Sequence, residues 1–90
     1  MILMSAIRFY IEKTDEEVIL CGLRHGHIFA QLKSLGFKAH SGYEEIEQGF
    51  INDSGDFLTR VQALEEAKRC GQVDEENLIH KNQLFSEDLW

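Results

Sequence analysis

The sequence predicts a small α+β domain, with an antiparallel sheet of three or four strands covered by two helices and a docked C-terminal tail. Three observations point to this fold. An early segment alternates apolar and polar residues, the period of a half-buried strand. Two later segments carry apolar stripes at helical spacing, and each stops at a glycine. The final stretch ends on apolar pairs and an aromatic, Trp90, which suits a tail that docks. Ninety residues make one domain, 1–90, with a sheet-and-helix body over 1–73 and a tail over 74–90.

Each element follows from local pattern. Ser5 to Glu12 alternates Ile7, Phe9 and Ile11 against Ala6, Arg8 and Tyr10, which predicts the first strand. Lys13-Thr14-Asp15-Glu16 is a polar turn, and Glu17 to Cys21, with Val18-Ile19-Leu20, completes a hairpin. A helix starts at His25 or Gly26. Its stripe is Ile28, Phe29, Leu32 and Leu35, with Lys33 on the wet side and Gly36 as the stop. Lys38 to Tyr43 is a loop. Glu44 to Asn52 reads as the third strand, in which Gly49 marks a bulge or a close approach of another group. Asp53-Ser54-Gly55 is a turn, and Asp56-Phe57-Leu58 is a short fourth strand. Thr59 and Gln62 have the spacing of a capping box and open the second helix. Ala63, Leu64, Ala67 and Cys70 repeat the stripe, and Gly71 ends it.

Composition removes several function classes. The net charge is −7, which argues against direct binding of DNA or RNA, since both want a basic face. Met1-Ile2-Leu3-Met4 is too short for a signal peptide. No apolar run approaches the roughly 20 residues that span a bilayer. A cytoplasmic protein without membrane contact is expected, and its two cysteines, Cys21 and Cys70, suit reduced thiols rather than a disulfide. No cofactor motif is present.

Within this acidic chain, Cys21 to Tyr43 holds no Asp or Glu but carries Arg24, Lys33, Lys38, His25, His27 and His40. Its informative part is Gly22 to His27, where a strand gives way to a helix. A helix start presents free backbone N–H groups and positive potential, so Arg24 and His25 there suit an anion. The alternative is an Arg paired with an acidic neighbour and a His bonded to local backbone. Arg60, on the first turn of the second helix, works against the helix dipole and suits either the same anion or a surface ion pair. Gln48 and Phe50 flank Gly49. They could bond to and stack on a base, and Phe50 suits a core position equally. Phe85, Glu87, Asp88 and Trp90 form the candidate partner-binding tail, with packing onto the domain as the alternative. Three histidines lack a nearby carboxylate, so no metal site is expected, and no catalytic constellation stands at motif spacing.

Ala6-Ile7-Arg8-Phe9, Gly22-Leu23-Arg24-His25, Gln48-Gly49-Phe50, Gly55-Asp56-Phe57, Arg60 with Ala63, Ala67 with Gly71-Gln72, and Leu84 through Ser86-Glu87-Asp88-Leu89-Trp90 run through the chain. Together they resemble a family of small uncharacterised phage and prophage proteins. In that pattern the position of Asp56 is usually basic, so a cationic role there has no support in this chain. The resemblance implies a viral setting. By analogy with other small phage factors, the leading expectation is an anti-defence accessory protein. It would sequester a small anionic ligand, such as a nucleotide immune signal, without catalysis, and would work as a homo-oligomer. The alternative is an inhibitor that binds a host defence complex, of anti-CRISPR or nucleic-acid-mimic type. A third is a small nucleotide-processing enzyme with His25 as acid or base.

Overall fold

A computed structural model describes residues 1–38 and 41–90. It is an α+β fold. In chain order the elements are β1 (Ile2–Ile11), β2 (Glu16–Gly22), α1 (His25–Ser34), β3 (Tyr43–Asn52), β4 (Phe57–Thr59) and α2 (Arg60–Arg69), followed by two short 3-10 turns, Glu75–Asn77 and Ser86–Asp88. The sheet order is β2-β1-β3-β4, and every neighbouring pair is antiparallel. β1 is therefore the centre, with β2 and β3 on its two sides and α1 carrying the chain between them.

Two bulges keep one face of the sheet apolar. The β1–β3 register shifts between Ile2 and Met4, where Leu3 is the extra residue, and again beyond Arg8, where Ile46 is extra. A single extra residue reverses the side on which every following side chain falls. The first shift returns Ile2 to the inner face with Ser5, Ile7, Phe9 and Ile11. The second leaves Ile46 exposed while Tyr43 rejoins that face. Alternation in the sequence breaks at Leu3, which is why the pattern predicts a strand from Ser5 where the structure begins it at Ile2. There the Gln72 side chain serves as a strand partner. It accepts from the Ile2 amide (2.6 Å) and donates to the Ile2 carbonyl (2.9 Å).

The helices cover the inner face in two patches. Ile28 and Leu32 of α1 bury Ile7, Phe9 and Ile11. Ala63, Leu64 and Ala67 of α2 bury Ile2 and Phe50, joined by Leu84 of the tail. Both helices end as their glycines predict. At α1 the Phe37 amide bonds the Leu32 carbonyl and the Gly36 amide the Lys33 carbonyl, both at 3.1 Å, with Gly36 at φ +94°. At α2 the Gln72 amide bonds the Ala67 carbonyl (2.8 Å) and the Gly71 amide the Lys68 carbonyl (3.2 Å). Each is a Schellman ending. The capping box also forms, with the Gln62 amide donating to Thr59 Oγ1 (3.2 Å) and the Thr59 amide to Gln62 Oε1 (3.0 Å). Cys21 and Cys70 are free thiols. Among the described residues no helix is long and apolar enough to cross a membrane.

Gly49 is required by the close approach of β4. A Cβ there would stand 2.0 Å from the Leu58 carbonyl oxygen and 2.8 Å from Phe57 Cζ. Because the first of these is backbone, β4 itself would have to move. Gly49→Ala is expected to destabilise the fold by at least about 2 kcal/mol, read as a lowered midpoint in urea denaturation. An unchanged midpoint would mean that β4 does not pack on Gly49 in this way.

Candidate functional site

Two apolar patches meet at a polar seam, and His25 lies in it. His25 is the first residue of α1, follows the extended N-cap Arg24, and is only 8% exposed. Its Nε2 is 2.8 Å from the Gly49 carbonyl oxygen, so Nε2 carries the hydrogen and donates. Its Nδ1 then faces the Ser86 hydroxyl at 3.4 Å as an acceptor. The ring meets Phe50 edge-on, with centroids 5.1 Å apart. Burial pushes the imidazole pKa below its ordinary value and the Arg60 charge adds to this, against the Gly49 bond and the Glu87 and Glu45 charges. His25 is therefore a neutral link between α1, β3 and the tail.

The same seam gathers both arginines onto the tail. Arg60 Nη1 donates to the Leu84 carbonyl (2.8 Å), and the Leu84 amide returns a bond to the Arg60 carbonyl (3.1 Å). The other amino group of Arg60 bonds Gln48 Oε1, and its guanidinium lies 4.6 Å from the centroid of the Phe85 ring. Arg24, from the other helix start, donates to the main-chain oxygen of Trp90. Among the described residues Arg60 forms no ion pair, although Arg8, Lys68 and Arg69 do. Burial lowers the Arg60 pKa, while the Glu87 and Glu45 charges oppose the shift. A cavity of about 190 Å³ opens beside Arg60, lined also by Gln48, Thr59 and Glu47.

The tail is fastened at several other points. Asp88 accepts from the Phe85 amide through Oδ2 and from the Ile79 amide through Oδ1, both at 2.9 Å. The Trp90 amide bonds the Ser86 carbonyl at 2.9 Å. Leu84 and Ser86 are almost wholly buried, and Leu89 and Trp90 pack on the α2 core. Glu87 is exposed, and its Oε2 lies 3.3 Å from the Ser86 hydroxyl, whose single hydrogen it shares with His25 Nδ1. Its carboxyl lies below the ordinary range because its own backbone amide, then Ser86 and the Arg24 charge, favour the anion.

The residues singled out in the sequence are thus distributed unevenly. Arg24, His25, Gln48 and Arg60 converge with Phe85, Glu87 and Trp90, so the two candidate sites are one place. Phe50 is wholly buried and presents no surface for a base. Gly22 serves packing, since a Cβ there would stand 3.2 Å from Ile28 Cγ1 and 3.3 Å from Gln31 Nε2. His27 faces away, beside Ala30 and Gln31. His40 and the middle of the expected 38–43 loop fall outside the described residues. Ser5 was not singled out, and Ser86 only as part of the C-terminal run. Ser5, wholly buried, donates from its hydroxyl to the Leu23 carbonyl at 3.0 Å and holds the strand-to-helix junction. A buried serine in a strand gives no periodic signal. Asp88 had one, an acid three residues after Phe85, which caps the turn. Ser86 beside His25 is too enclosed for a substrate to reach, and both nitrogens of His25 are engaged. Among the described residues no three His, Cys, Asp or Glu side chains group to hold a metal.

The fold and seam define a small α+β protein whose tail closes over two helix starts. The chain matches the family model described as Phage T4 y16D protein over residues 1–90 and belongs to that family. No curated protein and no solved structure matches it.

The neutral imidazole has a pH consequence. With the folded pKa below the unfolded value near 6.5, the unfolded chain binds the extra proton in the interval between them. Stability therefore falls as pH drops through that interval. Glu66 and Glu87, whose carboxyls are also lowered, add their losses only further into acid. Urea midpoints, followed by Trp90 fluorescence, are expected to fall between about pH 7.5 and pH 5.5 in the native chain and to change less in His25→Gln. Equal falls in both would remove His25 as the cause.

Proposed function

We propose that this member of the phage family is a non-catalytic binding protein. It takes a small anionic ligand of the nucleotide class at the seam and sequesters it in the cytoplasm of the infected cell, as an accessory factor against host defence. One observation carries the reading. Arg24 and Arg60 reach the tail from two helix starts, and the side-chain bonds of Arg60 go to neutral oxygens, the Leu84 carbonyl and the Gln48 amide. Anionic oxygens are stronger partners for guanidinium than neutral carbonyls are. A phosphate would replace the Trp90 and Leu84 oxygens, with Gln48 bonding the rest of the ligand. Phe85 would then be freed to stack on it, while His25 stays in place as the hinge. The tail in this reading is a displaceable latch.

The test incubates the protein with a panel of linear and cyclic nucleotides, then analyses free, bound and heat-released material. Intact nucleotide should be released on heating, and binding should change Trp90 fluorescence. Arg24→Ala combined with Arg60→Gln is expected to weaken binding by at least about tenfold. Converted nucleotide would point to an enzyme instead. Absence of any bound nucleotide would remove the reading.

A second reading, a protein partner, is favoured by the opposite side of the sheet. Met4 and Ile19 stand on the outer face, away from both helices, and with Leu3 are exposed at 38%, 44% and 49%. Arg8 lies there too, 5.6 Å from the Phe57 ring centroid and 3.6 Å from Glu17. Apolar area of this kind marks interaction surfaces. The expected homo-oligomer would use this face, with its mixed charges meeting a second copy. Sedimentation should then show an oligomer that Met4→Glu with Ile19→Lys converts to monomer. A native chain that sediments as a monomer would exclude self-association.

A further inference from the structure

A second cleft lies at the other end of α1, and its volume of about 760 Å³ is that of a small-ligand site. Its walls are Phe29, Leu32, Phe37 and Tyr43, with Lys33 and Lys38 exposed beside them. The Schellman ending of α1 turns Phe37 back toward the sheet. Phe37 stands edge-on to Tyr43 (5.9 Å), Tyr43 to Phe9 (5.5 Å) and Phe9 to Phe29 (5.9 Å). Gly42, at φ +84°, lets Phe37 lie close, since a Cβ there would be 3.3 Å from Phe37 Cδ1. The rings hold one another in place, yet Phe29, Phe37 and Tyr43 remain partly exposed. Apolar surface already held in position needs little ordering when a ligand arrives.

The charge around this cleft is one-sided. No carboxylate is among its described lining residues, and among the described residues neither Lys33 nor Lys38 forms an ion pair. Glu44 directly follows Tyr43 but lies on the other face of β3, since its register partner is Tyr10 whereas Tyr43 pairs with Ile11; Glu45, opposite Phe9, shares the face of Tyr43 but accepts from Gln48 at 2.8 Å, toward the seam. Two lysines without an ion pair among the described residues thus stand beside aromatic walls in a chain of net charge −7. A neutral apolar ligand would leave the lysines unused, and a bare inorganic anion would leave the rings unused.

We propose that this cleft binds an aromatic anion, with a flat ring system among Phe29, Phe37 and Tyr43 and a phosphate or carboxylate between Lys33 and Lys38. The site is separate from the seam and does not depend on the reading given for it. Amide NMR spectra of the isotope-labelled full chain test it with four probes. They are adenosine monophosphate, indole-3-acetate, adenosine and inorganic phosphate. One or both aromatic anions should shift the amides of residues 29–38 and 41–43. Adenosine and phosphate should bind at least about tenfold more weakly, since each lacks half of the recognition. A response to the monophosphate alone assigns a phosphate ligand, and a response to indole-3-acetate alone a carboxylate. Lys33→Glu with Lys38→Glu, both exposed, should weaken the anion by about tenfold without altering the rest of the spectrum. Arg24→Ala with Arg60→Gln should leave this titration unchanged, so the two sites stand or fall separately. The proposal is overturned if neither aromatic anion shifts these amides, if adenosine binds as tightly, or if charge reversal has no effect.

Discussion

The structure depends on one buried, neutral imidazole. His25 sits where the patch under α1 meets the patch under α2, and it is tied to both. Its Nε2 holds the Gly49 carbonyl of β3, its ring edge meets Phe50, and its Nδ1 faces Ser86 of the tail. Burying a polar ring without partners would cost several kcal/mol, and burying it charged would cost more. The arrangement answers both conditions, because each nitrogen has a partner and burial keeps the proton off. Gly49 must lack a side chain for β4 to reach it, so the His25 acceptor and the β4 approach share one residue.

From that link the electrostatics of the seam follow. Arg60 starts α2, where the helix dipole disfavours a cation. It gains nothing for helix stability there, yet its backbone and side chain together clamp Leu84, and its guanidinium covers Phe85. Arg24 reaches the Trp90 main-chain oxygen with its side chain from the start of α1. The Arg60 charge is spent on neutral oxygens in a chain rich in carboxylates. Surface arginines elsewhere in the molecule take the opposite course and pair with Glu17 and Glu66. The contrast sets the seam apart from an ordinary charged surface.

Much of this was legible in the sequence, and the limits have physical causes. Helix stops at Gly36 and Gly71 and the Thr59–Gln62 box are local effects, carried by residues within a few positions of one another. The bulges at Leu3 and Ile46 were not legible, because a bulge is defined by its partner strand. The convergence of Arg24, His25, Gln48 and Arg60 was anticipated from the two helix starts, but the occupant of their space was not. Sequence spacing cannot show that Leu84 reaches back across 24 residues to Arg60. Phe50 illustrates the same limit, since an aromatic beside a glycine suits a stacking platform and a core equally until its neighbours are known.

The tail is accordingly not an appendage to a finished domain. Leu84 lies within the same apolar patch as Ile2, Phe50 and Ala67, and Ser86 shares the buried seam with His25. Ile2 in turn is held by Gln72, the residue at which the tail leaves α2. The first strand and the last turn therefore complete each other across the whole length of the chain. A latch of this kind has two separable parts. Under the proposed function the outer bonds, from Arg24 and Arg60 to main-chain oxygens of the tail, would exchange for a better acceptor. The inner contacts of Leu84 and Ser86 would not, because releasing them would open the core and leave His25 with an unmet nitrogen. Displacement by the proposed ligand would thus be confined to the arginine contacts and the residues at their outer edge, with the Leu84 side chain staying seated.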